Sequence, residues 1–122
     1  MRTVEQKRPE KKIETLRLAA SHVEKVGLNK GEMFDYDVMT LDRNAVACCS
    51  MGALMVGCDL SKSNWVLEAE LYSEVADHVG AKRDKGDTKH ALAVWSDAPE
   101  RTVEDVASAF RSYADELSAV AA

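Results

Sequence analysis

Wound as a helix, the stretch Cys49-Ser50-Met51-Gly52-Ala53-Leu54-Met55-Val56-Gly57-Cys58 is apolar around nearly its whole circumference, and it constrains the fold more than any other segment. A helix without a polar face has to be surrounded. The chain has 122 residues, enough for one ordinary core, so the remaining elements are expected to pack around this central post. Gly52 and Ala53 allow a neighbouring backbone to come close, and Gly57 stands near the segment's end. The run falls far short of the roughly 20 apolar residues that a membrane span needs.

Helices on either side supply the surrounding faces. Pro9 followed by Glu10 suits a first helical turn, because proline's missing N–H costs nothing there and the acid complements the helix dipole. Ile13, Leu16, Ala20 and Val23, widened by Ala19 and Val26, then form one stripe, and Gly27 is placed to end it in a left-handed cap. After the central segment, Asp59, Ser61 or Ser63 can cap a helix. Its predicted inner face is Val66, Ala69, Tyr72, Val75, Ala76 and Val79, with Trp65 and Leu71 at the flanks and Gly80 at the close. A short helix is predicted near 90–95. A last one is opened by a capping box of Thr102 and Asp105 and carries the stripe Val103, Val106, Phe110, Tyr113, Leu117 and Val120.

Between the first helix and the central one the periodicity changes. Phe34, Tyr36, Val38 and Thr40 alternate with Met33, Asp35, Asp37 and Met39, and Asp42-Arg43-Asn44 reads as a turn, which predicts a small β-hairpin over about 33–48. Asp35, Asp37 and Asp42 lack the Asp-x-Asp-x-Asp-Gly spacing of a calcium loop and read as solvated acids. Residues 81–89 are nearly all polar and read as an exposed loop. The fold class is therefore mainly α: a single domain of four to five helices around a buried central helix, with a small β-hairpin. A charged N-terminal arm, residues 1–12, precedes the globular part, residues 13–122.

Charge narrows the partners. The formal net charge is −5, which disfavours nucleic acid and anionic membrane surfaces as partners. It is unevenly spread: residues 1–12 hold five basic and two acidic side chains, a net of +3, so residues 13–122 carry −8. Three cysteines, Cys48, Cys49 and Cys58, are an odd set of which two are neighbours, so a secreted disulfide scaffold is not indicated and a cytoplasmic protein is expected.

Several segments resemble, in order, a family of small uncharacterised proteins from actinobacteria and their phages. They are Leu16-Arg17-Leu18-Ala19-Ala20 with Val23-Glu24 and Gly27; Cys49-Ser50-Met51-Gly52-Ala53-Leu54; Val94-Trp95-Ser96-Asp97; and Thr102 with Val106. The likeness spans most of residues 13–117. The chain departs from the family pattern at Ala47-Cys48, where the family has an arginine upstream of its cysteine. It departs again at Ser50-Met51 in place of Ala-Leu and at Ser96 in place of asparagine. The resemblance implies a phage or actinobacterial source, hence a host cytoplasm, and a mainly helical domain. It implies no activity, and so no catalytic residue is carried over.

Cys49 is the position that both the resemblance and the physics single out. At a helix N-terminus the dipole and free N–H groups favour a thiolate, and His22, His78 or His90 could serve as its base. Cysteine is equally at home as a small buried hydrophobe, and packing is the reading preferred here. The histidines are not spaced i, i+4, no Cys-x-x-Cys pair occurs, and cofactor signatures such as a P-loop or Gly-x-Ser-x-Gly are absent, so neither metal nor cofactor is expected. Trp95 with Asp97 could form a recognition element, an aromatic anchor beside a carboxylate, or Trp95 could be a core aromatic. The resulting expectation is a non-enzymatic protein–protein interaction module acting on a host or cellular protein. A homodimer through the last helix is a further candidate. The alternative is a thiol-dependent enzyme or redox protein using Cys49 with a histidine.

Overall fold

A computed structural model of the chain describes residues 4–35, 42–81 and 91–121, with only the backbone described for 4–8 and 121. Among the described residues five α-helices follow in order: α1 Val4–Val26, α2 Ser50–Ser61, α3 Trp65–His78, α4 Ala91–Asp97 and α5 Val103–Ala121. Helix α2 holds the centre, as its composition requires. Ser50 through Leu54, then Val56, Gly57, Cys58 and Ser61, are all buried, and α1, α3 and α4 pack around them.

Helix α1 makes the closest partnerships, with α5 on one side and α2 on the other. Small residues permit this. Ala19 and Ala20 of α1 are fully buried together with Leu16 and Val23, and Ala107 and Ala114 of α5 join Val106 and Phe110 on the facing side. Gly27 ends α1 at φ 95°, donating its N–H to the Val23 carbonyl at 2.9 Å, the left-handed stop anticipated from glycine's lack of a Cβ. The helix nevertheless starts at Val4, so Pro9 lies inside it and withholds one N–H from the ladder. Lys12, from the charged N-terminal stretch, reaches Glu70 at 2.9 Å and Glu74 at 2.6 Å on α3. Glu74 also accepts the Tyr113 hydroxyl at 2.6 Å, so three helices meet at one carboxylate.

The inner face of α3 differs from the one expected. Leu67, Leu71, Tyr72, Val75 and Ala76 are buried, whereas Val66 and Ala69 face solvent, a rotation of about one residue. The start of the helix explains this. Asn64, not an earlier residue, is the cap, its side chain accepting the Leu67 N–H at 3.0 Å, and the direction of the first turn follows from that bond. The Thr102 and Asp105 capping box forms as expected, with reciprocal bonds of 3.1 and 3.0 Å. Of the expected α5 stripe Val106 and Phe110 are buried, Val103, Tyr113 and Leu117 are half-buried and Val120 is 81% exposed, while Ala107 and Ala114 are buried in addition.

The anticipated β-hairpin is not found among the described residues. Among the described residues there is no sheet: Arg43–Ala45 is a 3-10 turn capped by Asp42, and Cys48 makes two isolated bridges, parallel to Leu28 and antiparallel to Phe34. Residues 36–41 of the anticipated first arm lie outside the described residues. The physical reason for the difference is that Cys48 is shared. Its N–H goes to the Gly27 carbonyl at 3.2 Å and its carbonyl accepts from Asn29 at 2.9 Å. On the other edge Asp35 donates to Ala47 and Cys49 donates to Met33, each at 2.9 Å. The second arm is thus held between two short extended pieces that flank it, and no continuous two-stranded ladder develops. Among the described residues no helix is long and apolar enough to cross a membrane.

Candidate functional site

Two places carry residues of functional interest: a cavity at the N-terminus of α2 and a corner where α2 meets α3. The cavity, about 200 Å3, is bordered by residues 31–33, by Cys49 and Met51 at the start of α2, and by Ala93 and Asp97 of α4. Its walls are fixed by backbone pairing. Met33 is held over α2 by the Cys49 N–H, and Gly52 faces the Met33 carbonyl so closely that an added Cβ would lie 2.5 Å from it. Opposite, the Ser50 hydroxyl donates to Ser96 at 2.9 Å and lies 3.2 Å from the Leu92 carbonyl, which ties α4 to the first turn of α2. Asp97 accepts the Gly31 N–H at 3.0 Å, closing the rim.

Cys49 is the N-cap residue of α2, where the sequence placed it, and is buried. Burial pushes its thiol up from the ordinary cysteine range. The Gly52 and Met51 amides pull the other way, and the Asp97 carboxylate adds to the rise. The desolvation effect prevails over the helix N-terminus, so the group is a thiol at neutral pH. Cys48 and Cys58 are buried too, and burial pushes each to about 12.

Among the described residues no histidine borders this cavity. His22 is buried on α1 with its Nε2 lacking a hydrogen-bond partner, and burial pulls its pKa down. His78 sits at the end of α3, its Nδ1 2.9 Å from Glu116 and its Nε2 3.0 Å from the Ser112 hydroxyl. His90 lies outside the described residues. Among the described residues no three His, Cys, Asp or Glu side chains gather as a metal ligand set.

Trp95 and Asp97 are engaged within the fold. The Arg101 guanidinium lies over the Trp95 ring at 4.1 Å from its centroid and donates Nε–H to the Trp95 carbonyl at 3.0 Å. Together with the Asp97 bond to Gly31, and with Lys30 donating to the Ala98 and Pro99 carbonyls at 2.6 and 2.9 Å, these contacts fasten the α4–α5 connection to the loop after α1.

Sequence reasoning passed over the other tryptophan. Trp65, first residue of α3, is 78% exposed, and Leu60 near the end of α2 and Val66 next to Trp65 in α3 are 52% and 39% exposed. A usable signal was present: an asparagine cap immediately before Trp65 puts it at a helix start, outside the 3–4 stripe that follows. Lys62 in the left-handed conformation (φ 58°) turns the chain between α2, which carries Leu60, and α3, which carries Trp65 and Val66.

Residues 7–116 match the model of a family of unknown function, DUF6197. The chain belongs to this family. Membership in DUF6197 brings no activity, substrate or catalytic residue with it. Neither the curated proteins nor the solved structures contain a match to the chain.

Proposed function

We propose that this DUF6197 member is a non-enzymatic protein-binding module that grips a protein of the cell in which it is made through the α2–α3 corner. The observation that carries this reading is the 78% exposure of Trp65, with Leu60 and Val66, near it in the chain, also exposed. Tryptophan is the residue most enriched among interface anchors, and an exposed one is what a partner's recess would cover. Most other large apolar side chains of the described residues are buried in the fold, and the exposed Val94 and Val120 are smaller and lie on other helices.

A thiol enzyme built on Cys49 would need a base at the sulfur. The groups that act on that sulfur are the Gly52 and Met51 amides and the Asp97 carboxylate, and the buried thiol keeps its proton. Protein binding is the reading with a surface to support it.

The test compares two variants in an extract of the producing cell. Trp65→Ser should lose the crosslinked partner that the wild type retains, while Trp95→Phe, which leaves Trp65 as the sole tryptophan, should keep it. In that second variant the emission of Trp65 should move to the blue as the partner covers it. Equal capture by wild type and Trp65→Ser would remove the proposal, and self-crosslinking alone would make the partner a second copy.

A further inference from the structure

We infer that Ser112 is a nucleophilic serine that accepts an acyl group from a neutral thioester, with His78 as its base and Glu116 as the group that orients the base. The site lies at the other end of α3 from Trp65 and is independent of the protein-binding reading. Ser112 and Glu116 stand four residues apart on α5, which puts them one above the other on the same face of that helix. His78, last residue of α3, lies against both: its Nδ1 is 2.9 Å from a Glu116 carboxylate oxygen and its Nε2 is 3.0 Å from the Ser112 Oγ. Either contact alone is an ordinary surface bond. Joined through one imidazole, they form the chain of nucleophile, base and orienting carboxylate that activates a serine.

The bonding fixes what each nitrogen does. A carboxylate only accepts, so Nδ1 carries the hydrogen that Glu116 receives, and Nε2 is left to accept the Ser112 hydroxyl. The imidazole is also packed: the Tyr113 ring centroid lies 5.1 Å from that of His78, and the Tyr113 hydroxyl is bonded to Glu74 at 2.6 Å. Ser112 is exposed while His78 is half-buried, so the hydroxyl is open to a reagent and the base stays in place.

Ser112 borders an open groove of about 410 Å3 along α5, with Glu104, Ser108, Arg111 and Asp115 of that helix and Glu24 of α1 on its walls. Arg111 is engaged by Glu24 in two bonds and Arg17 reaches Asp115 at 3.4 Å, while Glu104 adds a further negative charge. These pairings favour a neutral acyl donor over an anionic one. The Ser112 and Tyr113 amides lie inside α5 and are committed to its ladder, so they cannot hold an oxyanion, and the donor has to be an activated one, a thioester and not an amide. The Ser112 Oγ attacks the thioester carbonyl carbon as its proton passes to His78 Nε2. The carbon–sulfur bond then breaks, and the departing sulfur takes that proton and leaves as a thiol. An oxygen–carbon bond has replaced a carbon–sulfur bond with no change in oxidation state. The outcome is one acyl group on Ser112, a modification without turnover.

The experiment incubates the full chain with S-acetyl-N-acetylcysteamine, a neutral thioester, and follows the intact mass and the peptide that carries the label. The wild type should gain a single acetyl group, on Ser112. Ser112→Ala should lose it, and Ser108→Ala, one turn away on the same groove, should keep it. His78→Ala should slow acetylation on the order of a hundredfold, and added imidazole should restore part of the rate, which a merely structural role would not allow. Glu116→Gln, at an exposed position, should slow the reaction with unchanged circular dichroism, and Glu116→Asp should keep part of the rate. Acetylation confined to lysine or cysteine, an equal rate in Ser112→Ala, or unaltered rates in both His78→Ala and Glu116→Gln would each overturn the inference. A faster reaction with acetyl-coenzyme A, a polyanionic thioester, would overturn the assignment of a neutral donor.

Discussion

Gly57 of α2 rests on the Thr15 carbonyl of α1: a methyl group added to its Cα would stand 2.7 Å from that oxygen, and 3.2 Å from the Ala19 Cβ. The obstacle is backbone in the middle of a helix, which cannot swing aside as the tip of a side chain would. Gly57→Ala should therefore destabilise the domain. Overpacking of this kind costs about 1–3 kcal/mol, and the ~1 kcal/mol that alanine gains as a helix former offsets only part of it. A fall in denaturant midpoint with an unchanged slope would establish the effect. A midpoint at or above that of the wild type would mean that α1 and α2 can separate freely at this point.

Thr102 offers a smaller and cleaner loss. Its hydroxyl accepts the Asp105 N–H at 3.1 Å at the exposed start of α5, and the Asp105 carboxylate returns the bond to the Thr102 N–H. Thr102→Ala should cost about 1 kcal/mol, and Thr102→Ser much less. Thermal melts of the two variants side by side decide it, and equal melting temperatures would contradict the cap.

The three thiols should be silent in the native protein. Burial raises all of them, Cys48 and Cys58 to about 12. Labelling by a disulfide reagent near neutral pH should wait on unfolding and quicken only with denaturant. The linkage has a definite sign. The folded thiols bind their protons more tightly than the unfolded ones, so this stability is intact below the ordinary cysteine value of about 8.5 and is lost as pH climbs towards about 12. Denaturant midpoints taken across that alkaline range should fall steadily.

Glu24 and Arg111 join α1 to α5 by two parallel bonds of 2.6 and 2.7 Å. The Arg111 hydrogen bond holds the Glu24 carboxyl below its usual value. Its contribution is present at neutral pH and disappears as pH drops through that lowered value, where the carboxylate takes up a proton. Carboxyl titration followed by NMR should show a midpoint below the ordinary glutamate range in the wild type, and near the ordinary range in Arg111→Gln. The difference should shrink in high salt, because the pair is half exposed.

The sequence showed the central post, the glycine that stops α1 and the capping box of α5 plainly, because each rests on contacts within a few residues. It did not show the rotation of α3, since Val66 and Leu67 are both apolar and only the Asn64 bond chooses between them. The hairpin failed for a similar cause. Alternation predicts an extended chain but not its partners, and Cys48 takes two. At the cavity, Cys49 was legible as a helix start. Met33 and Met51, eighteen residues apart, border one cavity because the segment after α1 folds back across the start of α2.

The bond set around Lys12 changes the meaning of the uneven charge along the chain. Glu70 and Glu74 stand one helical turn apart on α3, and Lys12 lies between them. What looked in the sequence like a basic overhang facing an acidic body is, at this lysine, counterion and polyanion within one molecule. Removing Lys12 would take a shared counterion from two carboxylates on one face of α3, so this residue of the charged stretch is tied into the fold and not merely appended to it.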